Sequence, residues 1–412
     1  MIHLAAASLL VQLPLPLSRA ILRRAVFTLK KNEDAPKQLL IDISEFIRHD
    51  AGTGIQRVVR GIAPYLMETP PTGYDVRPVF AEKNRGYHYA PVTADALQAD
   101  DRKRRDARPV VVSPGDVFLG LDLVPHLLPR HRGQLLRWKR CGAKLCFLVY
   151  DLLPLLHPHW FNPKRHATFK RWLRTVALFG DDLICISGAV KADLSTWLTT
   201  KYGLEHPPPH LHSIPLGADL ASTMPSAGCA DEELEMMERL YRKPFILMVG
   251  TLEPRKGYAQ TLDAFECYWN KGGVAALVVV GKPGWKTNVL QARLRTHPEL
   301  NNKLFWFHNA SDELLQLLYQ AARGVLLASE AEGYGLPLIE AAQYGKPVLA
   351  RNIPVFREIA GPNASFFDTD SFAEHLESWI QQIQGAKTCP GLTAQTPWSD
   401  CAVRLAEIVT TA

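Results

Sequence analysis

The chain has 412 residues, of which 47% are apolar and 21% are charged. This length accommodates about two or three domains, and the composition is typical of a globular protein. It excludes a disordered chain, a collagen-like fibre and a polytopic membrane protein. The net charge of +6 is a mild bias that suits anionic ligands or an anionic membrane, and it gives little support to nucleic-acid binding.

The cysteines indicate a reducing compartment. Seven are present, an odd number, and no pair has the CxxC spacing. Cys141 and Cys146 flank the start of a predicted strand, where cysteine acts as a small apolar residue. We therefore expect a protein of the cytoplasm without a disulfide framework.

Residues 1–36 are predicted to form an amphipathic segment. Leu4–Leu17 is apolar but too short to span a bilayer, and a helix is predicted from Ser18 as its N-cap. Its apolar face would contain Ile21, Leu22, Ala25, Val26 and Leu29, with basic side chains largely opposite. Two interpretations remain open: residues 1–31 contact an anionic leaflet, so that the protein is peripheral on the inner face of the cytoplasmic membrane, or the helix packs on the protein's own core.

The rest of the chain alternates between predicted strands and helices, which favours an α/β fold with doubly wound parallel sheets. In the first half, strands are predicted at Leu39–Ile43, Pro109–Val112, Val117–Leu119, Lys144–Val149 and Leu183–Ser187. In the second half, they are predicted at Phe245–Val249, Ala276–Val280, Leu304–Phe307, Val325–Ala328 and Val348–Ala350. A change of composition near residues 217–243 separates the halves, and two such domains would enclose a cleft suited to chemistry.

Ser329–Glu340 combines a glycine loop with two carboxylates. The segment leaves a strand, turns through Gly333 and Gly335, and enters a helix whose first turn offers free N–H groups to an anion. Glu332 on the loop and Glu340 in the first helical turn can accept hydrogen bonds from sugar hydroxyls, which suggests a nucleotide sugar. In the alternative interpretation, Glu340 only favours the helix N-terminus electrostatically and Glu332 is solvated.

A second strand-end loop, Gly250–Gly257, carries the adjacent cations Arg255 and Lys256. Fixed cations there would stabilise the negative charge that a diphosphate leaving group gains. The loop is not a Walker A motif, so ATP hydrolysis is not indicated. A third loop, Gly281–Trp285, adds the cation Lys282, and the alternatives are surface cations beside ordinary turns.

Taken in order, these blocks resemble the donor domain of the GT-B glycosyltransferases of family 4. The spacing of Glu332 and Glu340 matches the E-x7-E signature of that family. The matching blocks are Gly250–Gly257, Gly281–Trp285, Ser311–Leu314 with Tyr319, Ser329–Glu340, Gly345–Val348, Pro354–Glu358 and Phe366–Asp368. The resemblance implies a GT-B fold, in which two Rossmann-like domains face each other across a cleft and residues 219–395 bind the nucleotide sugar.

The first half, residues 37–218, resembles the acceptor-side domain of the same family more loosely. Asp50–Arg57 is similar to the glycine loop of bacterial polysaccharide transferases, Tyr150–Pro154 to their His-Asp-x-x-Pro element, and Cys185–Ser187 to their strand-end serine. Residues 396–412 resemble the terminal helix that crosses back onto the first domain.

The resemblance implies a retaining, metal-independent transfer of a sugar from a nucleoside diphosphate. Glu332 would contact the sugar hydroxyls, Glu340 the ribose, and Arg255 and Lys256 the diphosphate, and Asp151 is a further catalytic candidate. The other expected donor contacts are Gly335, Tyr334, Gly333, Leu336, Gly250, Thr251, Lys282, Gly54, Thr53 and Ser187.

Two positions depart from the family pattern. Thr251 stands where many members have an arginine that Arg255 would replace, and Tyr150 stands where they have a histidine. The histidine's role in orienting the sugar is therefore not carried over, although the aspartate of that element, Asp151, is present.

The expected function is transfer of a hexose, first of all mannose from GDP-mannose, onto a growing polysaccharide or lipid-linked glycan. Glu253–Gly257 and Gly281–Trp285 resemble the forms found in O-antigen and capsule mannosyltransferases. The alternatives are a rhamnosyl or other hexosyl transferase of the same fold, or an inactive protein that binds nucleotide sugars or glycans. No cofactor, metal ion or nucleic-acid partner is expected.

Other enzyme classes fit less well. Asp368–Asp370 has the DxD form of a metal-dependent transferase but lies in a polar turn. Gly52–Gly54 lacks the third glycine of a dinucleotide-binding loop. His157 and His159 have no third metal ligand at a suitable spacing, and we interpret them as loop residues.

Overall fold

The computed structural model describes residues 2–24, 36–50, 52–204, 209–217, 228–229, 231–241, 243–385 and 396–411. The chain divides into two compact units. The first domain comprises residues 1–217 and 396–412, and the second domain comprises residues 218–395.

The first domain is built on a seven-stranded sheet, counted over its described residues, in the order β3-β2-β1-β4-β5-β6-β7. All neighbouring strands are parallel except the β2–β3 pair. The strands are β1 (Lys37–Asp42), β2 (Tyr74–Glu82), β3 (Arg85–Tyr89), β4 (Val117–Gly120), β5 (Lys144–Val149), β6 (Asp182–Cys185) and β7 (His210–Ser213). The helices are α1 (Ile2–Gln12), α2 (Leu15–Arg24), α3 (Gly54–Glu68), α4 (Asp101–Arg105), α5 (Arg132–Arg140), α6 (Leu153–Leu156), α7 (Pro163–Phe179) and α8 (Gly188–Tyr202), and later in the chain α16 (Trp398–Thr410).

The second domain contains an all-parallel sheet of six described strands in the order β10-β9-β8-β11-β12-β13. The strands are β8 (Phe245–Val249), β9 (Ala276–Val280), β10 (Leu304–Phe307), β11 (Gly324–Leu327), β12 (Val348–Arg351) and β13 (Ser365–Phe367). The helices are α9 (Asp231–Leu240), α10 (Tyr258–Asn270), α11 (Asn288–Arg295), α12 (Asp312–Ala321), α13 (Leu336–Gln343), α14 (Pro354–Ala360) and α15 (Phe372–Gly385). The strand order reverses between β8 and β11, and ligands bind at such a switch point in open α/β sheets.

The predicted α/β class with doubly wound parallel sheets is confirmed. Four predicted strands, β5, β8, β9 and β10, have the observed bounds, because strands buried on both faces are continuous apolar runs. The strand predicted at Pro109–Val112 is wrong. Only an isolated bridge between Pro109 and His88 forms there, and Val111 is 70% exposed. The hairpin β2–β3 and the edge strands β7 and β13 were not predicted.

The described part of the N-terminal segment packs on the first domain. Helix α2 begins at Leu15, so Ser18 is not its N-cap; the buried Ser18 hydroxyl instead donates to the Leu10 carbonyl at 2.7 Å. Helix α1 contacts α5, and α2 contacts α7. Residues 25–35, which include the predicted apolar positions Ala25, Val26 and Leu29, lie outside the described residues. No described helix is both long enough and apolar enough to cross a bilayer.

The C-terminal helix α16 packs against α3 of the first domain. Its first residue, Trp398, is buried, and the ring lies so close to Gly61 that a Cβ there would be 2.4 Å from a ring carbon. Gly217 makes a similar approach, at 2.5 Å. The two glycines therefore form the surface that receives the indole.

Replacing Trp398 with alanine is expected to lower the free energy of unfolding by about 3–5 kcal/mol, because it removes a large buried ring and leaves a cavity. The measurement is urea denaturation followed by circular dichroism. Val403 on the same helix is 43% exposed, so Val403→Ala is the matched control. Equal transition midpoints for the two variants would contradict this packing.

Candidate functional site

Two loops that follow neighbouring strands meet at the switch point of the second sheet. The loop after β8 contains Arg255 and Lys256, and the loop after β11 contains Glu332. The Glu330 amide donates to the Arg255 carbonyl at 2.8 Å and joins the two loops. Gly257 has a φ of 73°, and a Cβ there would lie 2.3 Å from the Ala328 carbonyl oxygen. This close approach requires glycine.

Glu332 is the centre of a buried ion cluster. Its carboxylate accepts from Arg255 Nη1 at 2.6 Å, from Lys256 Nζ at 2.5 Å and from Ser329 Oγ at 2.7 Å. Only 9% of its side chain is exposed. The interpretation of Glu332 as a solvated side chain is therefore wrong. A second carboxylate, Glu253, accepts from Arg255 Nε at 2.8 Å and orients the guanidinium.

The cluster keeps Glu332 ionised. Burial by itself raises the pKa of this carboxyl group, but the charges of Arg255 and Lys256 and the hydrogen bonds from Lys256 and Ser329 outweigh burial and lower the pKa to about 2. An ionised carboxylate only accepts hydrogen bonds. At neutral pH Glu332 is therefore an acceptor and a negative charge, and not a proton donor.

Glu340 lies apart from this cluster in the hydrogen-bond network. It is the fifth residue of α13 rather than a residue of the first turn, and it is 2% exposed. Tyr319 donates to its carboxylate at 2.5 Å, and Tyr344 stacks on the Tyr319 ring with centroids 5.4 Å apart. Burial, and next the charge of Glu340, raise the pKa of Tyr344. Because α13 begins at Leu336, the proposed electrostatic role of Glu340 in the first turn does not apply.

The turn into α13 contains the remaining predicted residues of this segment. Gly335 precedes Leu336, the first helical residue, with a φ of 102°, and a Cβ there would lie 2.6 Å from the Phe356 ring. Tyr334 is 5% exposed, and Gly333 comes directly before it. This turn therefore forms the end of the loop that contains Glu332.

The third predicted loop packs along the first. A Cβ at Gly281 would lie 1.9 Å from the Gly250 carbonyl oxygen, and the Leu252 amide donates to the Lys282 carbonyl at 3.0 Å. The Lys282 side chain is exposed. Thr251 lies between these contacts and is half-buried.

Four predicted residues belong to the first domain. Thr53 caps α3, whose first residue is Gly54, and Ser187 caps α8 by accepting from the Val190 amide at 3.1 Å. Asp151 accepts from the Leu153 amide at 3.0 Å. Tyr150, at the position where a histidine was expected, is buried and donates to the Leu121 carbonyl at 2.7 Å.

Arg351 was missed by the sequence analysis. Its guanidinium is buried at the end of β12 and donates to the carbonyl of Ala328 at 3.0 Å, to Thr369 Oγ1 at 2.6 Å and to Gln260 Oε1 at 2.5 Å. It therefore supports the start of the loop that contains Glu332. An arginine that ends an otherwise apolar strand was the available signal.

Among the described residues, one group has a geometry that could hold a metal ion, namely Asp182, His210 and His212 of the first domain. However, Lys144 Nζ lies 2.8 Å from Asp182 Oδ2, so this carboxylate already has a cationic partner. The DxD-like segment Asp368–Asp370 contributes no such group.

Comparison with known proteins places residues 233–388 in a family described as glycosyl transferases group 1. The chain is 40% identical over 354 residues to the serotype-specific mannosyltransferase WbdA of Escherichia coli, covering 84% of this chain and 41% of that protein. It is 30% identical over 165 residues to the O-antigen chain mannosyltransferase B of Escherichia coli, covering 38% of this chain and 43% of that protein. The chain thus spans about two fifths of the length of these curated relatives.

Solved structures resemble the whole described fold. Anabaena Alr3699/HepE, in complex with UDP and glucose, gives a TM-score of 0.57 at 16% identity, covering 91% of this chain and 95% of that chain. Sucrose-phosphate synthase from Thermosynechococcus elongatus gives a TM-score of 0.56 at 14% identity, with coverage of 91% and 95%. These likenesses show that the chain has the GT-B fold.

The ion cluster predicts a pH dependence of stability. The native pKa of Glu332, about 2, lies below the ordinary 4.5, so its contribution is complete above about pH 4.5 and is lost as the pH falls toward 2. The difference in unfolding free energy between wild type and Glu332→Gln should therefore shrink by about 2 kcal/mol from pH 6 to pH 3.

Chemical denaturation at several pH values measures this difference. Glu330→Gln changes an exposed neighbouring glutamate and is the matched control. If the free energy of unfolding changed equally with pH in wild type and Glu332→Gln, the two cations would not lower the pKa of Glu332 as described.

Proposed function

We propose that this chain, whose residues 233–388 match the family described as glycosyl transferases group 1, belongs to that family and transfers a hexose from a nucleoside diphosphate sugar to a glycan acceptor. The observation that carries the proposal is the cluster of Glu332 with Arg255 and Lys256 at the switch point of the second sheet. It combines a hydroxyl-binding acceptor with two phosphate-binding cations within one hydrogen-bonded unit.

In this function the two cations stabilise the departing diphosphate. Negative charge on the diphosphate grows as the bond to the anomeric carbon breaks, and fixed cations lower the free energy of that state. Arg255 is oriented in advance by Glu253 and Glu332, so little reorganisation is needed. Because these cations provide the stabilisation, we propose that the transfer is metal-independent.

Glu332 acts as a hydrogen-bond acceptor for the sugar. With a pKa of about 2 it remains ionised through the reaction and is too weak a base to take the acceptor proton efficiently. The departing diphosphate is the stronger base and receives that proton. Attack on the face from which the diphosphate leaves then gives a retained anomeric configuration.

Glu340 is proposed to bind the ribose hydroxyls. Its carboxylate accepts from Tyr319 at 2.5 Å, and carboxylate oxygens are the acceptors that a pair of ribose hydroxyls requires. The turn from Gly333 to Leu336 is proposed to approach the phosphates, since its glycine permits close contact and α13 begins there.

The proposed donor is GDP-mannose, and the proposed acceptor is a growing polysaccharide or lipid-linked glycan. Support comes from the similarity to the serotype-specific mannosyltransferase and the O-antigen chain mannosyltransferase. A rhamnosyl or other hexosyl donor is the alternative within the same fold. A protein that binds without turnover is less consistent with a complete ion cluster. We propose that it works in the cytoplasm or at the inner face of the cytoplasmic membrane.

Alanine at Glu332 or at Lys256 is expected to reduce kcat by about 100-fold or more, because each substitution removes a group that acts on the donor and breaks the Glu332–Lys256 ion pair. Steady-state kinetics with the donor measure this loss. Exposed Glu330→Ala and Lys271→Ala are matched controls, and unfolding curves verify that each variant is folded. Turnover near the wild-type rate in a folded Glu332→Ala protein would overturn the assignment.

A panel of nucleotide sugars identifies the donor. We expect transfer from GDP-mannose, activity that persists in EDTA, and a product whose NMR spectrum shows the anomeric configuration of the donor. Transfer only from a rhamnosyl donor would show that the proposed donor sugar is wrong, and it would leave the proposed mechanism unchanged. Absence of transfer from every donor, with nucleotide binding intact, would favour the binding protein.

A further inference from the structure

A cavity of about 270 Å³ lies in the first domain beside α2. It is placed at the amino ends of β6 and β7, because Asp181 directly precedes β6 and His210 begins β7. Ser187 follows the opposite, carboxyl end of β6. The volume is near the lower limit for small-molecule sites, about 300 Å³.

Four of the nine residues that line this cavity are basic, and apolar side chains such as Leu22, Leu178 and Phe179 complete the lining. Arg19 and Arg23 reach it from α2, Lys139 from α5, and His210 from β7, and Asp181 is the acidic residue among them. Lys139 is paired with Asp181, so these two charges compensate each other. The two arginines remain as the excess positive charge.

Arg19 is held in place but incompletely satisfied. It is 9% exposed, and Nη1 donates to the carbonyls of Ala177 at 2.6 Å and Gly180 at 3.0 Å, at the end of α7. Its Nε is buried and has no hydrogen-bond partner in the described part of the chain. A buried charged donor without a partner is costly, so the guanidinium of Arg19 is not fully satisfied by the carbonyls of α7.

Arg23 adds a second guanidinium one turn further along α2. Its side chain is exposed at the cavity, and among the described residues no carboxylate forms an ion pair with it. Burial lowers the pKa of Arg19 to about 10, Asp181 opposes this effect, and the charge of Arg23 lowers the pKa further. The two like charges are thus close enough to repel each other, and an anion between them would remove that repulsion.

The surroundings favour a soluble anion over a membrane surface. Leu17 and Ile21 of α2 are exposed, but residues two positions apart on a helix point in very different directions. The exposed apolar row of α2 therefore lies away from the row formed by Arg19 and Arg23. The cavity volume suits a group larger than one phosphate ion, such as a diphosphate or a sugar phosphate.

We propose that this cavity is a binding site for a phosphate-bearing small molecule, separate from the ion cluster of the second domain. Arg19 and Arg23 bind the phosphate oxygens, and Lys139 and His210 lie at the edge. The anion would also link α2 to the end of α7. This site does not depend on the proposed transfer reaction, because none of its residues belongs to that machinery.

Calorimetric titration of the full chain with inorganic pyrophosphate tests the site. The titration uses a Lys256→Ala background, which weakens any binding at the second domain. We expect one bound pyrophosphate per chain and about tenfold weaker binding, or more, when Arg23→Gln is added. Arg102→Gln removes an exposed arginine on α4, changes the net charge equally, and should leave binding unchanged. Arg23 is exposed, so its variant should fold, and its melting temperature without ligand verifies this.

Vesicles of phosphatidylglycerol in phosphatidylcholine distinguish the source of the phosphate. Sedimentation with these vesicles that requires Arg23 but not Arg102, without pyrophosphate binding, would keep the anion site and assign its ligand to a lipid headgroup. Pyrophosphate binding that Arg23→Gln and Arg102→Gln weaken equally would overturn the proposal. So would the absence of both pyrophosphate and vesicle binding.

Discussion

The second domain depends on one buried carboxylate that stays charged. Removing Glu332 from water is costly, and the cost is offset only because Arg255, Lys256 and the Ser329 hydroxyl contact it together. These partners lie on loops that follow different strands, so the cluster exists only when β8 and β11 are neighbours. Assembly of the site therefore requires the folded sheet.

Close backbone contact makes this arrangement possible. Gly257 approaches the Ala328 carbonyl, Gly281 approaches the Gly250 carbonyl, and Arg351 donates to the Ala328 carbonyl at 3.0 Å. A side chain at Gly257 would force apart the two loops that carry the ion pairs, and a side chain at Gly281 would push the third loop away from the first. The residues that hold the charges thus contribute to stability as well as to chemistry, and loss of activity in a variant is informative only when its folding has been measured.

Runs of apolar residues in the sequence predicted the strands that are buried on both faces. Strands β5, β8, β9 and β10 could be predicted because both of their faces are covered. Pro109–Val112 is equally apolar in sequence, yet Val111 is exposed and only one bridge forms. The β2–β3 hairpin lies at the edge of its sheet, where one strand has a neighbour on one side only, and its sequence mixes polar and apolar residues. A search for apolar runs therefore does not detect it.

By itself, the sequence determined the order of the strand-end loops and the residue types on them, because glycine freedom, cations and carboxylates are local properties. The tertiary structure decided which of these groups meet. It paired Arg255 with Glu332 across 77 positions, buried Glu340 against Tyr319, and anchored Arg19 to carbonyls 158 or more positions away. Contacts over such separations depend on strand order and on the packing of helices against the sheet, and no periodicity within a short segment specifies them.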